Sequence, residues 1–189
     1  MKKLEERIRY DGVVRPGGIL KVDMFLNHQM DPSLMYDMAQ EWKTLFAGEP
    51  INKILTIEAS GIAMAIMAGY VFDCPVVFAK KSKTKNISLD VFSVDVESFT
   101  HGNTNTVVVS REYLGPNDKI LIIDDFLATG AALNGLIGLC DQAGAEVIGC
   151  GIAIEKVFQG GGNCLREKGV RVESLARISS MTDDSIEFM

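Results

Sequence analysis

The residues with the clearest chemical potential are two adjacent acids followed by a run of small residues. An apolar stretch, Ile120 to Ile123, precedes Asp124 and Asp125, and the sequence then reads F-L-A-T-G-A-A from Phe126 to Ala132. An ionised carboxylate only accepts hydrogen bonds, which suits the hydroxyl groups of a sugar. Small residues that lead into a helix can turn several backbone N–H groups toward one phosphate, and the helix N-terminus adds its positive dipole end. Together these residues predict a site for a phosphorylated sugar.

Apolar runs that alternate with helical segments must position these residues. Strands are predicted at 53–58, 75–79, 119–123 and 146–154, and helices follow Asp31-Pro32, Ser60-Gly61 and Thr129 to Ala132. Near-continuous apolar strands between helices indicate an α/β fold, with a mainly parallel twisted sheet flanked by helices. Ligands bind beyond the carboxyl ends of the strands in such sheets. We therefore expect the two acids at the end of a central strand, facing a ligand.

Further segments complete the predicted topology. Strands at 91–99 and 106–110 flank a turn at residues 101–103, and mixed short strands are expected between 170 and 188. The polar stretch from Lys80 to Asp90 carries four lysines and cannot be core, so a loop is predicted there. No internal repeat or linker divides the sequence, and one domain spanning residues 1–189 is expected.

Composition narrows the class of protein. The chain has 189 residues, 47% of them hydrophobic, which is enough for one sizeable core, and its net charge of −6 argues against a nucleic-acid partner. No apolar run reaches the roughly 20 residues that span a bilayer, so no membrane partner is expected. Four scattered cysteines and two histidines predict no metal site and a reduced, cytoplasmic protein, with Cys140 and Cys150 in the core.

A second segment has the same strand–turn–helix arrangement as the first. Glu58 to Gly61 reads E-A-S-G, follows a predicted strand and opens a helix. Its backbone N–H groups can therefore meet another phosphate. By itself, Ser60-Gly61 is equally consistent with a plain helix cap.

The segment Ile120 to Ala132 resembles the signature of type I phosphoribosyltransferases, which has four apolar residues, two acids, two apolar residues and small residues around a glycine. The resemblance implies that the chain binds phosphoribosyl pyrophosphate (PRPP), with its 5′-phosphate held by Ala128, Thr129, Gly130, Ala131 and Ala132. It also implies that the catalytic acids, Asp124 and Asp125, face the ribose 2′ and 3′ hydroxyls. Receiver domains also carry paired acids after an apolar strand, but they place them near the start of the chain and lack this phosphate-sized turn.

The same resemblance gives roles to two further segments. Ala59, Ser60 and Gly61 occupy the position of the pyrophosphate loop, where backbone N–H groups meet the leaving group. The lysine-rich stretch occupies the position of a flexible loop that closes over the reaction centre and excludes water. Lys81 is its candidate for neutralising the departing pyrophosphate, although for any single lysine an exposed position without that role is the simpler interpretation.

The chemistry and position of Lys156 indicate which class of base is transferred. It follows the strand at 146–154 and is therefore expected at the carboxyl edge of the sheet, beside the PRPP site. An ammonium group has three donors and no acceptor. It matches the C6 oxygen of xanthine, hypoxanthine or guanine and opposes the C6 amino group of adenine. Phe158 either offers a ring face to the base or is a core residue.

Longer stretches resemble the bacterial xanthine phosphoribosyltransferases, from Gly12 to about Ile178. The similar segments are I-L-K-V-D-M-F-L-N-H-Q at 19–29, E-A-S-G-I-A at 58–63, I-I-D-D-F-L-A at 122–128, I-A-I-E-K-V-F-Q at 152–159 and R-V-E-S-L-A-R at 171–177. One departure is Thr129, where these enzymes often have asparagine. The resemblance implies that Leu20 and Asn27 contact the base together with Lys156, from a hood formed by about residues 1–30 and the C-terminal segment.

Asn27 has a physical reason to select xanthine. Its amide NH₂ can donate to the C2 oxygen of xanthine, which hypoxanthine lacks. Because an amide can flip to accept from the C2 amino group of guanine, Asn27 alone does not exclude that base. The alternative is a turn residue that hydrogen-bonds its own backbone.

The resemblance as a whole implies a purine salvage enzyme that converts xanthine and PRPP to xanthosine 5′-phosphate (XMP) and pyrophosphate. PRPP is expected to bring Mg²⁺ with it, without a dedicated protein site, and the family likeness implies a homodimer. Alternatives are transfer to guanine, hypoxanthine or adenine, and a non-catalytic PRPP-sensing regulator, which the acidic chain disfavours.

Overall fold

The computed structural model describes residues 1–81, 90–97, 104–182 and 185–189. Its helices are α1 (Lys2–Asp11), α2 (Pro32–Leu45), α3 (Gly61–Phe72), α4 (Ala131–Ala143) and α5 (Gly161–Glu167). Its strands are β1 (Val13–Arg15), β2 (Ile19–Lys21), β3 (Lys53–Ile57), β4 (Val76–Ala79), β5 (Val91–Glu97), β6 (Thr104–Ser110), β7 (Lys119–Leu127), β8 (Glu146–Lys156), β9 (Val172–Met181) and β10 (Ile186–Phe188). A π-helical turn (Asp23–Asn27) follows β2, and a 3₁₀ turn (Val157–Gln159) follows β8.

A six-stranded sheet in the order β10-β9-β8-β7-β3-β4 forms the centre of the fold. Strands β9, β8, β7, β3 and β4 are parallel, and the short β10 pairs antiparallel with β9. The predicted α/β class with a mainly parallel sheet is therefore confirmed. Because parallel strands end at the same edge, the residues that follow β3, β7 and β8 lie near one another.

Apolar side chains fill both faces of this sheet. Along β7, Leu121 and Ile123 face a core that contains Trp42 of α2, whereas Ile120 and Ile122 face the core beneath α4. Successive residues of a strand point to opposite faces, so a strand buried on both sides must be apolar throughout. Cys140 and Cys150 are also fully buried, as predicted, and burial raises the pKa of each thiol to about 12.

Residues 1–30, here called the hood, meet the carboxyl edge of the sheet at Gly18, which accepts from Lys156, and at Asn27, which lies beside Asp125. Leu4 and Ile8 of α1 are fully buried and anchor the hood to the core. Arg9 donates to the backbone oxygen of Ile186 at 3.2 Å, and its guanidinium lies 4.7 Å from the ring centroid of Phe188. The hood is thereby joined to the C-terminal strand. Within the described ranges, no helix is long and apolar enough to cross a bilayer.

The predicted end of β7 was wrong. The strand was expected to end before Asp124, but it continues to Leu127 because its pairing with β8 continues as far as Leu127 opposite Glu155. Its pairing with β3 ends earlier, at Ile122. The acids therefore lie inside the strand, just beyond the point where β3 leaves it.

Other boundaries differ in smaller ways. The helix α2 begins as predicted, with Asp31 capping the N–H of Leu34 at 3.1 Å, and it ends at Leu45. Short mixed strands were expected after residue 170, whereas β9 is a ten-residue strand parallel to β8. The turn predicted at 101–103 and most of the lysine loop, 82–89, lie outside the described residues.

Candidate active site

The two acids of β7 occupy different environments. Asp124 is only 4% exposed, whereas Asp125 is half-buried. The Asp125 N–H donates to Asp124 Oδ1 at 3.0 Å, and the Phe126 N–H donates to Asp125 Oδ1 at 3.0 Å. The amide of Asn27 lies 3.5 Å from Asp125 Oδ2. Asp125 is therefore the acid that faces the hood.

Burial raises the pKa of Asp124 well above its usual range, and the negative charge of Asp125 raises it further. The hydrogen bond from the Asp125 backbone acts in the opposite direction but does not overcome these two effects. The site therefore resists holding two negative charges at the same time.

We expect the Asp124→Asn variant to be less active but more stable than the wild-type chain near neutral pH. Because the folded pKa of Asp124 is raised, its contribution to stability is complete below the unfolded pKa of roughly 3.9 and is lost as pH rises through the folded pKa. Thermal unfolding should show a gain of about 2–4 °C at about pH 7.5 that shrinks toward about pH 4. A gain that does not change with pH would contradict the raised pKa.

A cavity of about 190 Å³ lies beyond the acids, between the end of β7 and the start of α4. Its lining includes the whole predicted phosphate loop, Ala128, Thr129, Gly130, Ala131 and Ala132. Gly130 has a φ of +87°, which favours glycine, and its carbonyl oxygen accepts from the Asn134 side chain at 2.8 Å. The first N–H groups of a helix have no partner within it, so the start of α4 can offer them to an anion in this cavity.

Sequence reasoning missed part of the cavity wall. Asn105 lines the cavity together with Val96, which is its partner across the β5–β6 hairpin. The hairpin reaches the site because Gly135 of α4 leaves space for it: a Cβ on Gly135 would lie 2.4 Å from a methyl carbon of Val96. No local pattern identifies Asn105, since its position depends on this packing between distant segments.

The second loop, at the end of β3, approaches the same acids. A Cβ on Gly61 would lie 2.1 Å from Thr56 Oγ1 and 3.4 Å from Asp124 Oδ1, so glycine is required for this approach. Ser60 is the N-cap residue of α3 but makes no side-chain capping bond. A role for this loop at pyrophosphate stays a prediction. The peptide bond between Glu58 and Ala59 is cis.

Lys81 lies between the two loops. Its backbone N–H donates to the Glu58 carboxylate at 2.5 Å, and Lys81 also lines the cavity beside Thr129. The structure thus brings together Ala59–Gly61, Lys81 and the phosphate loop, although they come from three separate segments. A role for the Lys81 side chain at pyrophosphate stays a prediction.

Lys156 is the last residue of β8, at the predicted edge of the sheet. Its ammonium donates to the backbone oxygen of Gly18 in the hood at 2.9 Å and lies 5.5 Å from the ring centroid of Phe126. Burial lowers the pKa of Lys156. Because an ammonium has three donors, the bond to Gly18 leaves donors for a ligand.

The other residues considered for base binding differ in their exposure and contacts. Asn27 ends the π-helical turn and reaches Asp125, as described above. The Leu20 side chain is buried in the core, with 5% exposure, so its contact with a base stays a prediction. Phe158 is 47% exposed, and the alternative of a core position was wrong. Among the described residues, no group of three or more His, Cys, Asp or Glu side chains could hold a metal ion.

A family model described as "Phosphoribosyl transferase domain" matches residues 34–161, which include both loops and the acids. The chain belongs to this phosphoribosyltransferase family. Its relatives include the xanthine phosphoribosyltransferase of Finegoldia magna, which is 56% identical over 100% of this chain and 99% of that protein. The xanthine phosphoribosyltransferase of Ligilactobacillus salivarius is 53% identical over 100% of this chain and 98% of that protein.

Solved structures share the fold of this phosphoribosyltransferase at much lower identity. The APRTase from Giardia lamblia complexed with 9-deazaadenine is 20% identical, with a TM-score of 0.78 over 94% of this chain and 98% of that one. The adenine phosphoribosyltransferase of Trypanosoma brucei, in complex with AMP, pyrophosphate and ribose-5-phosphate, is 18% identical, with a TM-score of 0.78 over 97% and 81%. These likenesses establish the architecture.

Proposed function

We propose that this phosphoribosyltransferase transfers the 5-phosphoribosyl group of PRPP to xanthine, giving XMP and pyrophosphate in purine salvage. The observation that carries the proposal is the meeting, at one sheet edge, of the cavity at 128–132, the Asp124–Asp125 pair and Lys156. The choice of xanthine is supported by the names of relatives that are more than half identical over nearly their full length.

PRPP would lie across the edge of the sheet with its 5′-phosphate in the cavity. The phosphate accepts from backbone N–H groups at the start of α4 and from the Thr129 hydroxyl, and the helix dipole favours its charge. Ala59, Ser60 and Gly61 receive the pyrophosphate, and Lys81 neutralises part of its charge as it leaves. PRPP would arrive as its magnesium complex, and the metal would offset part of the negative charge of the leaving pyrophosphate.

Asp125 is assigned to the ribose and Asp124 to the backbone beside it. The more exposed Asp125 accepts from a ribose hydroxyl and supplies negative charge near the sugar, while the buried Asp124 holds the adjacent backbone through its bond from the Asp125 N–H. Pyrophosphate leaves C1′ from one face and a base nitrogen attacks from the other, through an oxocarbenium-like state. Catalysis is then mainly positioning and stabilisation of the developing positive charge.

The base is held between the end of β8 and the hood. Lys156 donates to the C6 oxygen and Asn27 donates to the C2 oxygen, with Leu20 contributing from β2. The Asn27 amide lies 3.5 Å from Asp125 Oδ2, so one residue of the hood lies within reach of both the sugar and the base in this proposal. This arrangement explains how the base nitrogen is aligned with C1′.

The Asn27→Asp variant is expected to shift the preference from xanthine toward guanine. A carboxylate opposes the C2 oxygen of xanthine but accepts from the C2 amino group of guanine. The ratio of kcat/KM for guanine to that for xanthine should rise at least about tenfold. Hypoxanthine, which has no C2 substituent, is the internal control and should change least. If all three bases lose activity equally, Asn27 does not contact C2.

The proposed function is tested by incubating the isolated chain with PRPP and Mg²⁺ and with each of xanthine, guanine, hypoxanthine and adenine. Formation of XMP with the highest kcat/KM supports the proposal. Preference for guanine or hypoxanthine would reassign the base, and efficient turnover of adenine would contradict the role of Lys156. Binding of PRPP without turnover of any base would indicate a regulator.

A homodimer in the cytoplasm completes the proposal. The assembly is supported by the family likeness, and the location by four cysteines that are all free thiols in the structure. Sedimentation of the purified chain at micromolar concentration checks the dimer, since a monomeric species that retains full activity would contradict it.

A further inference from the structure

Glu155 is a buried carboxylate that the proposed reaction does not use. Its side chain is 1% exposed and accepts both ends of the Arg166 guanidinium, at 2.7 and 2.8 Å. Arg177 Nε lies 3.3 Å from the same carboxylate. Burial by itself raises the pKa of Glu155, but the hydrogen bonds from Arg166 oppose it and leave the pKa below its usual range. Glu155 and Arg166 therefore form an ionised, bidentate salt bridge.

This ion pair fixes the helix α5. The helix has only seven residues, too few to be stable without anchoring contacts. Arg166 lies in its last turn and also donates to the backbone oxygen of Val172 in β9 at 3.2 Å. At Gly162, an added Cβ would lie 2.0 Å from Glu155 Oε1, so the backbone of α5 rests directly on the carboxylate.

The other end of α5 rests on the phosphate loop. The Gly161 N–H donates to the Ala128 oxygen at 3.1 Å. A Cβ on Gly161 would lie 2.4 Å from that same oxygen and 2.5 Å from the backbone nitrogen of Gly130. Two consecutive glycines thus place one short helix against the buried ion pair and against the loop that lines the cavity.

We propose that Glu155 and Arg166 are positioning residues for PRPP: they hold α5 against the backbone of 128–130 and so set the loop that receives the 5′-phosphate. The inference rests on the proposed function of that loop. Lys156, the neighbour of Glu155, points to the hood and Phe126 instead, because adjacent residues of a strand face opposite sides. Substitution of Arg166, the α5 member of the ion pair, should therefore weaken the binding of PRPP more than the binding of the base.

The test compares the variants Arg166→Gln, Arg166→Lys and Arg171→Gln. The glutamine variant at 166 should raise the KM for PRPP about tenfold, with a much smaller change in kcat and in the KM for xanthine, because a loosened loop costs phosphate binding first. The Arg166→Lys variant keeps the positive charge but cannot form the bidentate contact of a guanidinium, so it should recover part of the lost affinity for PRPP. Arg171→Gln is the matched control, since Arg171 also donates to carboxylates, those of Glu49 and Glu173, but lies before the start of β9, away from the loop.

Calorimetric binding of ribose 5-phosphate gives a readout that does not depend on turnover. Its affinity should fall by the same factor as the KM for PRPP rises, and should stay unchanged in Arg171→Gln. Equal binding by wild type and Arg166→Gln, or equal rises in the KM for PRPP and xanthine, would overturn the inference. If the glutamine variant does not fold, Arg166→Lys decides by the same two measurements. Absence of turnover in the wild-type chain would instead count against the proposed function, while ribose 5-phosphate binding would still decide the role of the ion pair.

Discussion

Ala131→Asp should raise the KM for PRPP at least about a hundredfold, because a carboxylate in the phosphate cavity places like charges together at a cost of several kcal/mol. Ala131 is the first residue of α4 and lines the cavity beside Gly130. The same substitution should not destabilise the chain. An acid in the first turn of a helix is favourable by about 0.3–1 kcal/mol, so the melting temperature should be unchanged or slightly higher.

Ala131→Asn is the matched control for this variant. Asparagine has nearly the size of aspartate without its charge, so it measures the steric part of the effect and should cost PRPP binding much less. Steady-state kinetics with PRPP varied at saturating xanthine, together with thermal unfolding of both variants, separates charge from size. Equal KM values for the two variants would mean that the cavity does not receive a phosphate.

Lys156→Met should lower kcat/KM for xanthine about 10–100-fold, the loss expected for one hydrogen bond from a charged donor. Methionine keeps an unbranched side chain that can pack against Phe126 but has no donor for a C6 oxygen. The KM for PRPP should change far less, because the phosphate loop is on a different element. The relative use of adenine should rise, since the group that opposes its C6 amino group has been removed.

Lys168→Met provides the control for Lys156→Met. Lys168 is an exposed lysine that follows α5, and its replacement by methionine makes the same change in net charge without removing a residue of the proposed base site. Kinetics with xanthine, guanine and adenine for the three proteins would check the prediction. An equal loss for every base, including adenine, would show that Lys156 supports the hood through Gly18 rather than selecting a 6-oxopurine.

The unit formed by β7 and α4 could be predicted from sequence because its signals are local. A continuous apolar run predicts a strand buried on both faces. The side chains of Thr129 to Ala132 are too small to block the approach of a phosphate to the backbone N–H groups of the turn that follows it. The position of Lys156 followed from a general rule, since parallel strands end at one edge. These inferences needed the identity of neighbouring residues and the direction of the strands, and nothing else.

The different burial and contacts of the two acids could not be predicted in this way. The residues are adjacent and chemically identical, yet Asp124 is buried and Asp125 reaches Asn27, which is 98 residues away in the chain. The length of β7 was also mistaken, because its last residues are strand only through their pairing with β8. Both features depend on which distant segment packs against the strand.

The sequence alone therefore determined the fold class and predicted the loop at 128–132 and the two acids as a site, since these depend on apolar periodicity and on the small residues of one turn. Only the tertiary structure decided which acid is buried, that Asn105 lines the cavity, and that Glu155 and Arg166 support the loop through α5. The physical reason is that burial, and with it the pKa of a carboxylate, depends on contacts between segments far apart in the chain.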